Sequence, residues 1–151
     1  MAFIPATYRA EIVDMRIAEV MTSKPFTIRR DKRLKVVQTI MEWGRFRHLP
    51  VVDQYDRLVG IVSQTDVLAA SASTFDPETP RAQRELLLAE IPIEKVMQHN
   101  VIAADAAEPV AAAAKRMREH RVSCLPVVDK GKLVGIVTAF DLLAVLADTA
   151  R

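Results

Sequence analysis

The stretch LPVVDQYDRLVGIVSQTD, from Leu49 to Asp66, returns later in the chain as LPVVDKGKLVGIVTAFD, from Leu125 to Asp141. Each copy holds two short runs rich in β-branched residues, joined by a polar turn and followed by the start of a helical pattern. Such runs predict an antiparallel hairpin that leads directly into a helix. An internal repeat defines the architecture in which every other motif is interpreted, so this pair of stretches decides the fold.

The repeat keeps a nearly constant period. Pro50 corresponds to Pro126 at an offset of 76 residues, whereas Gly60 corresponds to Gly135 at an offset of 75 residues. One residue is therefore lost between these two points, inside the turn of the second hairpin. Surface turns tolerate such deletions, so the two copies are expected to have the same structure.

A helix is predicted ahead of each hairpin. The stretches 34–44 (LKVVQTIMEWG) and 109–120 (PVAAAAKRMREH) each carry an apolar stripe at helical spacing. The stripe consists of Leu34, Val37 and Met41 in the first stretch and of Val110, Ala113 and Met117 in the second. Asp105 and Glu108 match a capping box that would open the second helix, with Pro109 in its first turn.

The resulting fold class is α+β, with two tandem β-α-β-β-α repeats. A half of this size buries only a marginal core, so the two repeats are expected to pack together about a pseudo-two-fold axis. The predicted organisation is a lead segment over 1–16, repeat 1 over 17–70, a linker over 71–92 and repeat 2 over 93–151. The linker contains RAQRELLLAE, which predicts a short helix of its own.

Composition and charge exclude several classes of protein. The chain has 21 basic and 19 acidic residues, an excess too small to indicate nucleic acid or an anionic membrane as a partner. The basic runs RRDKR (29–33) and KRMR (115–118) suggest nucleic-acid binding as a third hypothesis. It is the weaker one, because interspersed acidic residues and helical spacing favour solvated faces instead. Charges interrupt the apolar runs near the N-terminus, so no signal peptide or membrane span is predicted.

The cysteine, histidine and glycine residues exclude further classes of protein. Cys124 is the single cysteine, which excludes a disulfide framework and a thiolate zinc site and fits a reducing, cytoplasmic location. The three histidines have no metal-ligand spacing, and four glycines form no phosphate-binding or nucleophile loop. We therefore expect a protein that is not an enzyme and that carries no metal or cofactor.

The order of motifs resembles the cystathionine β-synthase (CBS) domain in its tandem-pair arrangement, over about residues 17–147. The resemblance rests on IAEVMTSKPFTI and IEKVMQHNVIA, on HLPVVD and CLPVVD, and on LVGIVSQTDVL and LVGIVTAFDLL. It implies a regulatory sensor that binds AMP, ADP, ATP or S-adenosylmethionine in clefts between the repeats and controls a partner protein. It also implies a homodimer whose four repeats form a flat disc.

Two interpretations remain for the residues that begin each final helix. Ser63 with Asp66, and Thr138 with Asp141, fit a capping box that only closes the helix backbone. The resemblance instead implies that Asp66 and Asp141 bind the ribose hydroxyls of the ligand. Ser63 and Thr138 would then lie near the phosphate or ribose, where the helix N-terminus favours negative charge.

The two copies differ beside this aspartate. Thr65 adds a hydroxyl next to Asp66 and is a further candidate for phosphate binding, whereas its counterpart Phe140 cannot donate a hydrogen bond. From this difference we expect the Asp66 site to be the stronger, although an aromatic ring beside a nucleotide can also stack.

Basic residues precede the first hairpin strand of each repeat. The candidates for phosphate contacts are Arg45, Arg47 and His48 in repeat 1, and His120 and Arg121 in repeat 2. The resemblance implies a phosphate-binding cation here, and the planar fork of Arg suits that task. The alternative is a solvated helix end, where cations face the negative end of the helix dipole.

An adenine ring needs an apolar slot edged by backbone polar groups. The resemblance implies that Thr27 and Ile28 supply it, with Pro50 and Pro126 as walls. Apolar residues at such positions are more often plain core. The sequence therefore leaves two functions open, a ligand-sensing regulatory module and a constitutive dimeric scaffold without a ligand.

Overall fold

A computed structural model describes residues 12, 14–74 and 76–148 of the chain. The chain forms two compact units, one from Phe26 to Val101 and the other from the part up to Pro25 together with the part from Ile102 onward. Most of the lead segment predicted over 1–16, and residues 149–151 of the second repeat, lie outside the described residues.

The unit from Phe26 to Val101 contains a three-stranded sheet of β2 (Ile28–Arg29), β3 (His48–Val52) and β4 (Leu58–Ser63), in that spatial order. Strand β2 runs parallel to β3, and β3 pairs antiparallel with β4, with Pro50 opposite Ile61. The strands and helices of this unit are β2 (Ile28–Arg29), α2 (Leu34–Gly44), β3 (His48–Val52), β4 (Leu58–Ser63), α3 (Gln64–Thr74), α4 (Arg81–Glu90) and a short 3₁₀ helix (Ile93–Lys95).

Helix α2 forms because its apolar residues recur at helical spacing and meet one core. Leu34, Val37 and Met41 are all buried, as the sequence pattern predicts. The helix ends at Arg45, which takes the left-handed conformation with φ of 54°. Leu88 of α4 joins the same core, so the helix predicted in the linker is confirmed and belongs to this unit.

The other unit contains a four-stranded sheet, in the spatial order β1 (Thr22–Ser23), β7 (Lys132–Thr138), β6 (Cys124–Asp129) and β5 (Ala104–Asp105). Its hairpin of β6 and β7 repeats the register of the first unit, with Pro126 opposite Ile136. Its elements are α1 (Ile17–Val20), β1 (Thr22–Ser23), β5 (Ala104–Asp105), α5 (Val110–His120), β6 (Cys124–Asp129), β7 (Lys132–Thr138) and α6 (Ala139–Asp148).

The segment that opens each sequence repeat pairs with the last hairpin strand of the other repeat, as a strand in one unit and as a single bridge in the other. Thr22 pairs with Ile136 of β7, and Gln98 forms a bridge to Ile61 of β4. The methionine before each of these residues covers a strand glycine. A Cβ atom on Gly60 would lie 2.5 Å from Met97 Sδ, and Met21 Sδ lies over Gly135 in the same way.

Because each opening segment packs on the other repeat, the repeats of the sequence and the compact units of the structure have different boundaries. The repeats begin at residues 17 and 93 with IAEVM and IEKVM, but the units divide after Pro25 and after Val101. The β-α-β-β-α order of each repeat and the α+β class are confirmed.

The predicted capping box of the second helix was wrong. Helix α5 begins at Val110 with Pro109 as the residue before it, and Asp105 and Glu108 close a turn between β5 and α5. The amide of Val110 donates to the Met15 carbonyl at 2.9 Å. Because a main-chain carbonyl satisfies the first helix amide, no side-chain cap is required at this end.

Among the residues that the structure describes, no helix is both long enough and apolar enough to cross a membrane.

Replacing Gly60 with alanine is expected to destabilise the fold by about 1–3 kcal/mol, because the new methyl group collides with Met97 Sδ and lies 3.1 Å from the Gln98 carbonyl. In a Met97→Ala background the loss of unfolding free energy caused by Gly60→Ala should be smaller. Urea unfolding of the wild type, the two single variants and the double variant measures this coupling. The matched control is Met117→Ala, at a buried methionine of the other unit, whose effect on the unfolding free energy should add to that of Gly60→Ala. If the effects of Met97→Ala and Gly60→Ala also added, the packing of Met97 on Gly60 would be contradicted.

Candidate functional site

Each unit places an aspartate in the first turn of a helix that directly follows a strand. Strand β4 ends at Ser63 and α3 begins at the next residue, and β7 ends at Thr138 with α6 beginning at the next residue. The third helical residues are Asp66 and Asp141. We call these places the first and second junctions. At both, the positive end of a helix dipole meets the end of a strand.

The first junction contains a complete capping box. Asp66 Oδ2 accepts hydrogen bonds from the Ser63 amide and from Ser63 Oγ, each at 2.8 Å. In return the Asp66 amide donates to Ser63 Oγ at 3.1 Å. The capping interpretation of Ser63 and Asp66 is therefore correct, and it uses one carboxylate oxygen.

The second junction repeats this geometry. Asp141 Oδ2 accepts from the Thr138 amide at 2.7 Å and from Thr138 Oγ1 at 3.0 Å. The Asp141 amide donates back to Thr138 Oγ1 at 3.3 Å. Because Oδ2 alone closes the cap, Oδ1 of each aspartate is the atom that a ribose hydroxyl would meet, so capping and ribose binding are compatible.

The loop before each hairpin is tied to the same helix N-terminus. The first amide of α3, on Gln64, donates to the Arg47 carbonyl at 2.8 Å, and the first amide of α6, on Ala139, donates to the Ser123 carbonyl at 2.8 Å. The carbonyl bound to the helix start therefore belongs to a predicted basic residue, Arg47, in the first repeat, and to Ser123, two residues after Arg121, in the second.

The residue that begins the first hairpin strand differs between the junctions. His48 lies opposite Ser63 in the sheet, and Cys124 lies opposite Thr138. Burial lowers the pKa of His48 below its ordinary value, against the opposing effect of the Asp66 carboxylate, so the neutral imidazole is favoured at neutral pH. Burial raises the pKa of the Cys124 thiol to about 12, which keeps this thiol protonated and unreactive.

The predicted phosphate contacts lie at the ends of α2 and α5 and at the start of β3. Arg45 and Arg121 are exposed, and both take the left-handed conformation with φ of 54° at the ends of α2 and α5. Arg47 and His120 are exposed as well, whereas His48 is half-buried. In the described part of the chain none of these five side chains forms an ion pair, so their role in phosphate binding stays a prediction.

Thr65 and Phe140 are both exposed, and the Phe140 side chain keeps 79% of its surface open. The predicted adenine contacts are mostly buried. Ile28 is 4% exposed, and Pro50 and Pro126 are less than 2% exposed, while Thr27 is half-buried. The side chains of the two prolines therefore offer little surface to a ligand, and the adenine assignment stays a prediction.

Sequence reasoning did not identify Gln98 as a site residue. Its Nε2 donates to Asp66 Oδ1 at 3.1 Å, a contact between residues 32 positions apart. The signal was present in the repeat, because Gln98 follows Met97 as Thr22 follows Met21. What the sequence did not show is that each opening segment lies on the other repeat.

An open cavity of about 470 Å³ borders Asp141. It lies between α1 and α6, and it is lined by Met15, Glu19, Val20, Asp141, Ala144, Val145 and Asp148. Three of these residues, Glu19, Asp141 and Asp148, carry carboxylates, so the phosphate of a ligand bound at Asp141 would have to lie outside this cavity. No group of histidine, cysteine and acidic residues that could hold a metal ion is found in the described ranges.

The basic runs have acidic partners. Arg30 pairs with Glu94, and Arg116 pairs with Glu108 at 2.9 Å. Lys115 lies 3.8 Å from Glu119, four residues on along α5. These pairs neutralise part of each run, which favours solvated faces over a surface for nucleic acid.

The family model for the CBS domain matches residues 17–73 and 93–148. The chain therefore belongs to the CBS domain family, and it holds a tandem pair of these domains. This confirms the resemblance that the repeated motifs indicate.

Curated relatives extend this result. A CBS domain-containing protein of Dictyostelium discoideum is 36% identical over 131 residues, which cover 86% of this chain and 90% of the relative. A homoserine O-acetyltransferase of Methanococcoides burtonii is 37% identical over 127 residues, which cover 83% of this chain but 23% of that enzyme. The chain thus spans about a quarter of the length of that enzyme.

Among solved structures, the CBS domain pair of protein MJ0100 was determined in complex with 5′-methylthioadenosine and S-adenosyl-L-methionine. It superposes with a TM-score of 0.75 at 28% identity, and the match covers 89% of this chain and 97% of that one. A CBS pair of similar structure thus binds ligands that contain adenosine.

Proposed function

We propose that this chain is a regulatory module that binds an adenosine ligand at its strand–helix junctions and thereby controls a partner protein. The observation that carries the proposal is the use of a single oxygen, Oδ2, by Asp66 and Asp141 in closing their helix caps. The second oxygen leaves each carboxylate able to accept a further hydrogen bond.

A ribose suits this arrangement chemically. Its vicinal 2′- and 3′-hydroxyls are two donors, and Oδ1, the carboxylate oxygen that the cap does not use, has two lone pairs. Hydrogen bonds to an ionised carboxylate are shorter and stronger than bonds between neutral groups. In this proposal Asp66 and Asp141 bind ribose, and Ser63, Thr65 and Thr138 lie beside the sugar or its phosphate.

The side chains proposed for phosphate contact are those of Arg45, Arg47 and His48 at the first junction, and of His120 and Arg121 at the second. Their exposure lets them turn toward an anionic ligand, and the helix N-terminus adds positive potential. His48 is the exception, since its neutral form can serve only as a hydrogen-bond partner. Thr27 and Ile28, with Pro50 and Pro126, remain the proposed surroundings of the adenine.

The ligand class is supported by the CBS pair of protein MJ0100, which binds 5′-methylthioadenosine and S-adenosyl-L-methionine. AMP, ADP and ATP share the adenosine part with these compounds, so the ribose contact is common to all of them. The same carboxylates provide no nucleophile with an oriented base, and we infer binding and regulation instead of catalysis.

A constitutive scaffold is the second candidate, and one observation favours it. Both caps are complete without any ligand, and capping alone is worth about 1 kcal/mol of stability at each helix. In a scaffold the two aspartates would serve the backbone only. The two functions therefore differ in whether Oδ1 of Asp66 or Asp141 ever receives a hydroxyl.

Calorimetry distinguishes them. Wild-type protein titrated with AMP, ADP, ATP and S-adenosylmethionine should bind at least one of these. A double variant, Asp66→Asn with Asp141→Asn, keeps a side-chain oxygen for each cap but loses the charge. We expect its affinity to fall at least about tenfold, since a hydrogen bond to a charged group contributes about 1.5–3 kcal/mol.

Asp53→Asn is the matched control for this titration. Asp53 Oδ1 also accepts two main-chain amides, from Tyr55 at 2.8 Å and from Arg57 at 3.0 Å, but it lies in the turn between β3 and β4. The affinity of the Asp53→Asn variant for the ligand should match that of the wild type. Absence of binding by the wild type, or unchanged binding by the double variant, would favour the scaffold.

We also infer a homodimer. Leu68 of α3 and Leu143 of α6 occupy equivalent places in the two repeats and keep 63% and 60% of their surface exposed. Phe140 on α6 is exposed too, and the described part of that helix has no buried residue. Large apolar side chains that recur in both copies favour a second copy of the same chain as their partner.

Sedimentation equilibrium tests the dimer. The wild type should sediment with twice the mass of the chain, and Leu143→Asp should shift the population to monomer because a buried charge at the interface has no partner. Leu86→Asp, at an exposed leucine of α4, is the control and should leave the mass unchanged. A monomeric wild type would refute the inference.

A further inference from the structure

The two junctions differ in what occupies the second oxygen of the aspartate. At the first junction Asp66 Oδ1 accepts a hydrogen bond from Gln98 Nε2 at 3.1 Å. At the second, Asp141 Oδ1 accepts no hydrogen bond from any residue that the structure describes. The atom on which the proposed ribose contact depends is therefore occupied in one unit and open in the other.

The position of Gln98 is set by its backbone. Its amide donates to the Ile61 carbonyl at 2.8 Å, and its carbonyl accepts from the Ile61 amide at 3.1 Å. Ile61 is in β4, the strand that ends in the first junction. Since both main-chain groups are held, only the side chain of Gln98 can move away from Asp66.

The second junction has a shorter residue at the equivalent place. Thr22 pairs with Ile136 of β7 as Gln98 pairs with Ile61. The hydroxyl of threonine is two bonds from Cα, whereas the amide nitrogen of glutamine is four bonds from it. Within the described chain no hydrogen bond joins Thr22 to Asp141.

We propose that Gln98 is a gate on the first site, so that an adenosine ligand fills the Asp141 site at lower concentration than the Asp66 site. This proposal rests on the proposed function and adds an order of filling to it. Oδ2 of each aspartate already accepts two hydrogen bonds, so the two ribose hydroxyls need both lone pairs of Oδ1. At the first junction they must therefore displace Gln98 Nε2 from Asp66 Oδ1, while at the second junction Asp141 Oδ1 accepts no hydrogen bond from the described residues. The order is the reverse of the one expected from Thr65 and Phe140.

The size of the effect follows from the exchange of bonds. Binding at the first junction breaks one hydrogen bond before it makes another, and Gln98 is solvent-exposed, so water recovers part of the loss. Removing such a bond typically changes an equilibrium about threefold to tenfold. We therefore expect the first site to bind about threefold to tenfold more weakly than it would without Gln98.

NMR separates the two sites within one intact protein. The Ser63 and Thr138 amides each donate to the Oδ2 atom of their own aspartate, so their ¹H–¹⁵N resonances report each carboxylate individually. A titration with S-adenosylmethionine, and a second with AMP, gives one midpoint for each amide. In the wild type the Thr138 midpoint should be lower than the Ser63 midpoint.

Gln98→Thr copies the second junction and should lower the Ser63 midpoint about threefold to tenfold, with no change at Thr138. Gln98→Ala removes the gate without adding a hydroxyl and should act in the same direction. Gln54→Thr, in the exposed turn between β3 and β4, is the matched control and should change neither midpoint. Thermal unfolding of each variant shows whether it is folded.

The outcomes separate the two proposals. Shifts at both amides with an unchanged Ser63 midpoint in Gln98→Thr and Gln98→Ala overturn the gate and leave the ligand site standing. A Ser63 midpoint lower than that of Thr138 in the wild type also overturns the gate. No shift at either amide with either probe overturns the ligand site and the gate together.

Discussion

The packing of a methionine against a strand glycine organises both units. Met97 Sδ and Met21 Sδ lie where a side chain on Gly60 or Gly135 would be, and the residue after each methionine joins the edge of that strand. Only glycine leaves room for this approach, since any Cβ atom would collide with sulfur. The last hairpin strand of each repeat therefore pairs with a segment that begins the other sequence repeat.

This exchange also determines the chemistry of the junctions. The residue that follows the methionine lies beside the strand that leads into the helix. In one unit this residue is Gln98, whose Nε2 donates to Asp66 Oδ1; in the other it is Thr22, and no hydrogen bond joins it to Asp141 within the described chain. A single side-chain difference thus makes two repeats with the same backbone unequal in the property that the proposed function uses.

Much of this structure could be predicted from the repeat. The hairpins, the buried faces of α2 and α5 and the reciprocal cap of Ser63 and Asp66 follow from local patterns, because period, turn composition and capping act over a few residues. The start of α5 was misplaced because the amide of Val110 is satisfied by Met15, a partner distant in sequence. The Gln98 contact escaped prediction for the same reason, since no local pattern reports which strand edge a segment joins.

The central claim is that the segment opening each sequence repeat packs on the hairpin of the other repeat. Amide hydrogen exchange of the intact chain tests this claim most directly. In Met97→Ala, the amides of β3 and β4 should exchange faster, because Met97 packs over Gly60 of the first repeat. The amides of β6 and β7, which share a sequence repeat with Met97, should keep wild-type rates. Faster exchange in β6 and β7 with unchanged rates in β3 and β4 would contradict the account.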